Sequence, residues 1–180
     1  AIEYYNKEIE LNPDAAYVYR NIAWIYTSSL VDYDKALEYF NKSVEVDPDY
    51  SLNYEKRGDF YRDYLEDYDK ALADYNKGIE LAPKDADIYY EIGDLYYDIK
   101  KYDNALASFL KVVELDPTYE NVYNFIALIY KNSLKDYTKA IEYYNKELEL
   151  TPDAATTYRN IAGIYTYDLV DYDKALENYT

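Results

Sequence analysis

The sequence predicts an all-α solenoid, and three observations carry this prediction. Prolines recur at positions 13, 48, 83, 117 and 152, so that successive prolines are 34 or 35 residues apart. A fixed period in this range is typical of a repeat array. Two helical patterns, separated by a short polar break, lie between successive prolines. The apolar residues include 29 Tyr, and a tyrosine ring suits a thin architecture in which its hydroxyl stays near a surface.

Each proline marks the end of one helix. Proline cannot continue a helix, and it disfavours helical backbone at the residue before it. An Asp or Thr follows each proline within two residues, and we expect these side chains to be the N-caps of the next helix. The residues expected to cap are Asp14, Asp49, Asp85, Thr118 and Asp153.

The first helical pattern of each repeat has one apolar face. In the first repeat the residues at i, i+3, i+4 and i+7 are Tyr19, Ile22, Ala23 and Tyr26. The equivalent sets are Tyr54, Arg57, Gly58 and Tyr61; Tyr89, Ile92, Gly93 and Tyr96; Tyr123, Ile126, Ala127 and Tyr130; and Tyr158, Ile161, Ala162 and Tyr165.

The second helical pattern follows a polar triplet with a central tyrosine. The last residue of each triplet is Asp or Thr, and we expect it to be the N-cap of the second helix. The triplets are 32–34, 67–69, 101–103, 136–138 and 171–173. The second helix then carries an alanine with an aromatic residue four positions on, in the pairs Ala36/Phe40, Ala71/Tyr75, Ala105/Phe109, Ala140/Tyr144 and Ala175/Tyr179.

Over the whole chain, this order of residues resembles the tetratricopeptide repeat. The resemblance implies a right-handed superhelix of about five helix-turn-helix repeats of 34–35 residues plus a leading half-repeat. The predicted boundaries are 1–13, 14–48, 49–83, 84–117, 118–152 and an incomplete last repeat at 153–180. The small residue of each first helix would let the two helices of a hairpin approach closely. Three departures from the family stand out: Tyr replaces the usual Trp at the first aromatic position, four repeats have one extra residue in the inter-helix turn, and Arg57 replaces an aliphatic residue.

A longer period is superimposed on the repeat. Residues 1–41 match residues 140–180 at 31 of 41 positions. This indicates a recent duplication of a four-repeat unit or deliberate construction, and we expect the parent array to be longer. The first residue is Ala rather than Met, and we interpret the chain as a fragment of a longer protein.

Charge and composition narrow the classes of partner. The net charge is −17, which repels phosphate backbones and anionic membrane surfaces and attracts basic proteins or peptides. We therefore expect no nucleic-acid partner. We also expect no membrane insertion, because no apolar run approaches the roughly 20 residues of a membrane helix. The absence of Cys does not fix the compartment, although a soluble cytoplasmic location is slightly favoured.

The sequence offers little for catalysis. It has no His and no Cys, so that no nucleophilic triad of the usual kind can assemble. Its four glycines are isolated within helical patterns, which excludes a glycine-rich phosphate loop. The Asp-x-Asp pairs are better explained as helix caps than as a cation site, because no calcium loop follows them. We expect neither an enzyme nor a cofactor or metal.

The resemblance implies that the first helices form a concave ligand groove. The candidate groove residues are Tyr17, Arg20, Trp24, Glu55, Asp59, Asp63, Asp87, Tyr90, Asp94, Tyr97 and Asp98. The Lys, Asn and Arg set with which the family's best-known clamp binds a C-terminal carboxylate is missing from these positions. An acidic groove with interleaved tyrosines favours an extended peptide that carries Lys or Arg. The alternative is that these acids only solvate the surface, and Trp24 is either a ligand anchor or packs on its neighbours.

A second hypothesis concerns self-association. The chain starts with a second-type helix that lacks its partner and ends within another. Solenoid ends without polar caps are prone to stack. A structural spacer that associates head-to-tail with further copies is therefore the alternative to a peptide-binding scaffold.

Overall fold

The computed structural model describes the backbone of residues 1–179, and the side chains of all of these except residues 172, 176 and 179. Within these residues the chain is helical and contains no strand. The first helices of the repeats are α2 (Ala16–Ile25), α4 (Ser51–Asp63), α6 (Ala86–Asp98), α8 (Val122–Ile129) and α10 (Ala155–Gly163). The second helices are α1 (Ile2–Leu11), α3 (Tyr33–Val46), α5 (Tyr68–Leu81), α7 (Tyr102–Leu115), α9 (Tyr137–Leu150) and α11 (Tyr172–Tyr179). This is the predicted all-α solenoid fold. The chain packs as two compact units, unit 1 (Ala1–Leu95) and unit 2, which begins at Tyr96.

Each first helix forms a hairpin with the second helix that follows it, and hairpins one to five run from α2 and α3 to α10 and α11. One backbone hydrogen bond closes every hairpin. The N–H of the residue immediately before the second helix donates to the carbonyl oxygen of the tyrosine at the i+7 position of the repeat's apolar set. The donor and acceptor pairs are Asp32 and Tyr26, Asp67 and Tyr61, Lys101 and Tyr96, Asp136 and Tyr130, and Asp171 and Tyr165, at N···O distances of 2.7–2.9 Å. This bond joins the end of the first helix to the residue before the second helix. In hairpins one and four the same carbonyl also accepts from the N–H of Val31 or Lys135, so that both bonds help to cap the end of the first helix.

The extra residue of the 35-residue repeats is accommodated inside this closing bond. In the third hairpin, which belongs to the 34-residue repeat, the bond joins residues five apart, and in the other four it joins residues six apart. In hairpins one, four and five the first helix ends in a π-helical turn, at Tyr26–Leu30, Tyr130–Leu134 and Ile164–Asp168. Single π turns are a common way to absorb an inserted residue. In every hairpin an aliphatic residue near the end of the first helix is followed by a residue with a left-handed backbone conformation, at φ of 50° to 61°. These left-handed residues are Val31, Glu66, Lys100, Lys135 and Val170.

The predicted N-caps of the second helices are wrong by two residues. The cap is the first residue of the polar triplet, and in the four triplets that begin with Asp its carboxylate accepts a hydrogen bond from the N–H three residues on. These bonds join Lys35 to Asp32, Lys70 to Asp67, Lys139 to Asp136 and Lys174 to Asp171, at 3.1–3.2 Å. Before the first helices, the predicted cap Asp85 does accept from the N–H of Asp87 at 3.1 Å. The predicted caps Asp14, Asp49, Thr118 and Asp153 are also wrong. They lie in the preceding turn, because the N-cap positions are Ala15, Tyr50, Asn121 and Ala154.

In each hairpin with an acidic cap, one lysine contacts both the cap carboxylate and the ring of a tyrosine. In hairpin one, Lys35 Nζ lies 3.4 Å from Asp32 Oδ2 and 5.2 Å from the centre of the Tyr26 ring. The same arrangement recurs at Lys70 with Asp67 and Tyr61, at Lys139 with Asp136 and Tyr130, and at Lys174 with Asp171 and Tyr165. Hairpin three has Lys101 in place of the acidic cap and Asn104 in place of the lysine. Lys101 makes no side-chain cap hydrogen bond.

The hydroxyl of the first tyrosine explains why Tyr can replace Trp. Tyr19 donates to the carbonyl oxygen of Pro13 at 3.1 Å, Tyr54 to that of Pro48 at 3.0 Å, and Tyr123 to that of Pro117 at 2.8 Å. Each bond fastens the first helix to the turn that precedes it. Because these hydroxyls have partners near the surface, the tyrosine rings pack against the hairpin without leaving a polar group unsatisfied.

Unit 1 contains an ion pair between Arg57 and Asp74, whose side chains are 18% and 9% exposed. Arg57 donates from Nε to Asp74 Oδ2 at 2.8 Å and from Nη2 to Asp74 Oδ1 at 2.7 Å, and its Nη1 donates to Asn41 at 2.9 Å. Hairpin one has Ile22 and Tyr39 at the equivalent positions. The aliphatic residue and the tyrosine have thus been replaced together by two complementary charges, which is why Arg57 is compatible with the fold.

The small residue of the first helix is required most clearly at Gly58. A Cβ added there would lie 2.7 Å from the Cε1 atom of Tyr75, a distance at which the ring would have to move. Tyr75 is fully buried, so that α4 and α5 approach closely here, as the family pattern predicts. The equivalent Ala23, Ala127 and Ala162 are also fully buried.

Unit 2 repeats the same packing with aromatic and aliphatic residues. The rings of Phe109 and Phe125 stack with their centres 5.1 Å apart, and those of Tyr130 and Tyr143 stack at 5.5 Å. Ile126 and Tyr144 are fully buried. The side chain of Tyr179, predicted to pack four residues after Ala175, lies outside the described side chains. In the part of the chain that the structure describes, no helix is both long and apolar enough to cross a membrane.

We predict that replacing Arg57 by Ile lowers the free energy of unfolding by about 3 kcal/mol, because it leaves the Asp74 carboxylate buried without its partner. The double variant Arg57→Ile with Asp74→Tyr copies hairpin one and should recover to within about 1 kcal/mol of the original protein. Urea unfolding followed by circular dichroism measures both. A double variant as unstable as the single one would contradict the view that the two positions changed together.

We predict that Lys101→Asp stabilises the protein by about 1 kcal/mol, because it gives α7 the side-chain cap that the equivalent helices have. Thermal unfolding measures the gain. Lys84→Asp is the matched control, since it makes the same charge change in an exposed turn where two other repeats and the last have Asp directly after the proline. Equal gains for the two variants would mean that net charge, and not the cap, is responsible.

Candidate functional site

The predicted acids of unit 1 surround two cations on α4. Arg62 lies on the side of α4 that meets α6. Its Nε donates to Asp63 at 2.6 Å, its Nη1 donates to Glu91 at 2.5 Å, and the same Nη1 lies 3.5 Å from Asp94. A single guanidinium therefore contacts three carboxylates, two of which come from α6. Fixed pairs of this kind position side chains precisely enough to shape a binding surface.

Lys56 forms the second cationic centre. Its Nζ lies 2.5 Å from Glu55 Oε1 and 2.9 Å from Asp59 Oδ2. Asp59 also accepts a hydrogen bond from the Tyr75 hydroxyl at 3.0 Å, and burial raises the pKa of that hydroxyl well above its usual range. Glu55 and Asp59 are almost fully buried. They therefore belong to the base of this face more than to its rim.

The carboxyl of Glu91 has a strongly perturbed acidity. Its pKa is raised to about 7, chiefly by burial and also by the nearby charges of Asp59 and Asp94, while Arg62 opposes the shift. Next to it, burial raises the pKa of Tyr90 to about 12, with Asp94 and Glu91 adding to the shift. A carboxyl that titrates near neutral pH among fixed charges can change the charge of a surface under ordinary conditions.

The remaining predicted residues of unit 1 lie on α2, apart from Asp87 on α6. The Arg20 guanidinium donates to Asn53 Oδ1 and lies 5.3 Å from the centre of the Tyr50 ring. Tyr17 is about half exposed and donates to Glu8 on α1. The Trp24 ring packs edge-on against Phe40 at 5.3 Å and against Tyr64 at 6.1 Å. Trp24 is therefore part of the aromatic core at its edge, which is one of the two roles that the sequence left open. Asp87 is exposed at the start of α6.

The last two predicted residues fall in unit 2. The Tyr97 ring packs against Tyr102 at 5.5 Å and Phe125 at 5.4 Å, and Asp98 is exposed at the end of α6. Unit 2 also has a cleft of about 470 Å³ between the ends of α8, α9 and α10. Glu120, Asn124 and Glu147 are among its lining residues. Burial raises the pKa of Glu147, which accepts a hydrogen bond from Thr157 at 3.0 Å.

Sequence reasoning missed Lys56 and Glu91 as part of the site. Each lies one position along the helix from a predicted groove residue, and periodicity placed neither on the groove face. Lys56 lies three residues before Asp59, a spacing at which helical ion pairs form, and this signal could have identified it. Nothing in the sequence links Glu91 to Arg62, because the two lie 29 residues apart on different helices.

The chemistry available on this face is that of recognition. Carboxylates, two phenols and two cations are brought together without a thiol or an imidazole. Within the described residues, no group of three or more acidic side chains is arranged to hold a metal ion. The arrangement can form ion pairs, cation–π contacts and hydrogen bonds with the side chains of a ligand.

Comparisons with known proteins identify the repeat. A TPR repeat model matches residues 64–100, and a tetratricopeptide repeat model matches residues 86–119. A further tetratricopeptide repeat model matches residues 16–50 and 120–153. No curated protein sequence matches the chain.

Solved structures share this fold. A MamA protein is 24% identical with a TM-score of 0.77, and the match covers 91% of this chain and 87% of MamA. YrrB, described as a TPR protein with an unusual peptide-binding site, is 24% identical with a TM-score of 0.73, over 99% of this chain and 90% of YrrB. PilF of Pseudomonas aeruginosa is 20% identical with a TM-score of 0.75, over 93% of this chain and 74% of PilF.

The family models together match residues 16–50 and 64–153. The matched residues include hairpins that have the closing bond, the small residue between paired helices and the proline period. The chain belongs to the tetratricopeptide repeat family, whose arrays act as scaffolds for protein interaction.

Proposed function

We propose that the chain is a scaffold that binds an extended basic peptide on the acidic face of unit 1. The observation that carries this proposal is an excess of carboxylates on the first helices. Glu55, Asp59, Asp63, Asp87, Glu91 and Asp94 are accompanied there by Arg20, Lys56 and Arg62, while a fourth cation, Arg57, is paired with Asp74 of α5. The face therefore remains negative after its internal ion pairs have formed, and it attracts Lys and Arg side chains.

The internal pairs also suggest where such a ligand would bind. Asp59 and Glu55 are buried against Lys56, so they contribute mainly to the potential. The side chains of Asp63 and Asp94 are 44% and 27% exposed, and both share Arg62 with other acids. A ligand cation can therefore bind next to Arg62, where three carboxylates outnumber one guanidinium. Tyr90 adjoins Asp94 and supplies an aromatic surface for cation–π contact.

The comparison with YrrB supports a peptide as the kind of ligand, since that protein is described as having a peptide-binding site. A first alternative is that the acids only keep the surface solvated. A second alternative is the spacer that stacks head-to-tail, which stays a prediction. The lack of His and Cys suits binding better than nucleophilic catalysis.

We predict that Asp63→Lys with Asp94→Lys weakens the binding of a short Lys/Arg-rich peptide by about tenfold. Exposed ion pairs contribute roughly 0.2–1 kcal/mol each, and a reversed charge adds repulsion to the lost attraction. Fluorescence anisotropy at low salt measures the affinity, with a Glu-rich peptide of equal length as the ligand control.

The matched control protein is Glu45→Lys with Glu80→Lys, which makes the same change of net charge at exposed positions of α3 and α5. Circular dichroism verifies that all variants are folded. Equal losses in the two double variants would assign the attraction to net charge alone. If no basic peptide binds the original protein at low salt, the acidic face is only a solvated surface.

We predict that the affinity for the same peptide rises by up to about tenfold between about pH 6 and about pH 8. Glu91 has a pKa of about 7 in the folded protein, so that it is largely neutral at the lower pH and becomes an additional anion at the higher pH. The pH dependence that Glu91 gives to the stability of the fold has the opposite sign to the pH dependence of binding. Because the folded state binds this proton more tightly than the unfolded state, the contribution of Glu91 to stability falls as the pH rises from about 4.5 through 7. Glu91→Gln should flatten both dependences, and an unchanged pH profile of binding in this variant would exclude Glu91 as its source.

A further inference from the structure

The five turns between first and second helices share an aliphatic residue, which is exposed in four of them and partly buried at Ile99. The pattern is an aliphatic residue, a left-handed residue, the cap and then Tyr, and the aliphatic positions are Leu30, Leu65, Ile99, Leu134 and Leu169. The four leucines are 38–53% exposed, and Val31 and Val170 next to two of them are more than 60% exposed. An aliphatic residue thus recurs at the same position of every turn, and within each unit it is a candidate contact residue where charged residues flank it.

The charges around these aliphatic residues differ between the turns, and the turn of hairpin five, with Asp171 and Asp173 beside Leu169, is as acidic as the turns of unit 1. In unit 1 the turns carry Asp32 and Asp34 beside Leu30, and Glu66, Asp67 and Asp69 beside Leu65. In unit 2 the turns of hairpins three and four carry exposed lysines at positions 100, 101 and 135. Lys35 and Lys70 of unit 1 are paired with their caps, whereas these three lysines form no ion pair with the described residues.

The lysines border a cleft that contains an exposed leucine. A cleft of about 390 Å³ in unit 2 is lined by residues that include Lys100, Lys101, Ser133 and Leu134. Asp103 also lines this cleft, so that two lysines outnumber one acid there, and Leu134 supplies an apolar side chain. A matching segment has a protruding aliphatic side chain flanked by acids, and the turn of residues 64–69, Tyr-Leu-Glu-Asp-Tyr-Asp, has this composition.

We propose that the basic turns of unit 2, around Leu134, dock the acidic turns of unit 1, around Leu65, of a second copy of this chain. The occupant is assigned by charge complementarity together with the matched apolar residues. The contact uses the turn edge, and it is therefore independent of the acidic face of the first helices and of the ends of the chain. Its success or failure leaves the proposed peptide binding untouched.

The net charge of −17 per chain gives this association an unusual salt dependence. At about 0.01 M salt the Debye length is about 30 Å, so that whole copies repel each other, and at about 0.15 M it is about 8 Å, so that only charges in contact are felt. Association should therefore be stronger at the higher of these concentrations and weaken again near 1 M, where local pairs are screened as well. The contact is small, so that we expect a weak dimer, seen by sedimentation at high protein concentration.

A charge-swap series tests the proposal. Glu66→Lys replaces one of the three acids of the unit 1 turn by a cation, and Lys100→Glu with Lys135→Glu makes the unit 2 turns acidic. Each substitution introduces the residue type that another turn already has at the same left-handed position, so that folding should be preserved, which circular dichroism checks. Either one-sided variant should weaken self-association by at least about tenfold, and the chain that carries all three substitutions should recover to within about threefold of the original.

Leucine variants complete the test. Leu65→Ser and Leu134→Ser should each weaken the dimer, whereas Leu11→Ser, at an 88% exposed leucine of α1, should leave it unchanged. Several results would overturn the proposal: a strict monomer at the highest concentration, one-sided variants that associate like the original, or no recovery in the triple variant. Loss of association in Leu11→Ser alone would overturn it in favour of head-to-tail stacking.

Discussion

Everything in this chain depends on the hydrogen bond from the N–H before each second helix to the carbonyl of the second tyrosine. This bond is present in all five hairpins, at five or six residues of separation. It joins the end of the first helix to the residue before the second helix, and so limits which residues of the two helices can meet in the core. The acidic cap, the lysine on the tyrosine ring and the close approach at Gly58 all lie within reach of it. The π-helical turns show that the local helix gives way to preserve this bond.

The sequence predicted the hairpins well because proline spacing and periodicity report on helix ends and buried faces directly. It predicted the caps poorly because the Asp-Tyr-Asp triplets offer two suitable carboxylates, and residue type alone does not distinguish them. The distinction comes from backbone conformation: the left-handed residue at Glu66, for example, turns the chain so that Asp67, and not Asp69, lies over the free N–H groups. The turn after each proline similarly moves Asp14 and Asp49 away from the helix start.

The residue types of the candidate site could be predicted from the sequence, whereas the ion pairs among these residues could not. Periodicity placed Asp59, Asp63 and Asp94 on one face, and their excess negative charge could be counted. The sequence does not show which acids pair with cations of the same protein. Arg62 donates a hydrogen bond to Glu91, which lies on another hairpin and is not one of the predicted groove residues. Burial then separates acids that the sequence treats alike: Glu55 and Asp59 are at the base of the face and Asp63 is at its rim.

The ion pair between Arg57 and Asp74 bears on how such arrays evolve by recombination. One partner lies on the first helix of hairpin two and the other on the second. A crossover between these helices would join Arg57 to a tyrosine, or Ile22 to an aspartate, and either chimera would bury a charge against an apolar residue. A crossover at a proline keeps both partners together. The heritable module in this array is therefore the complete hairpin, and gene conversion that respects this boundary can vary the surface of a repeat without disturbing its core.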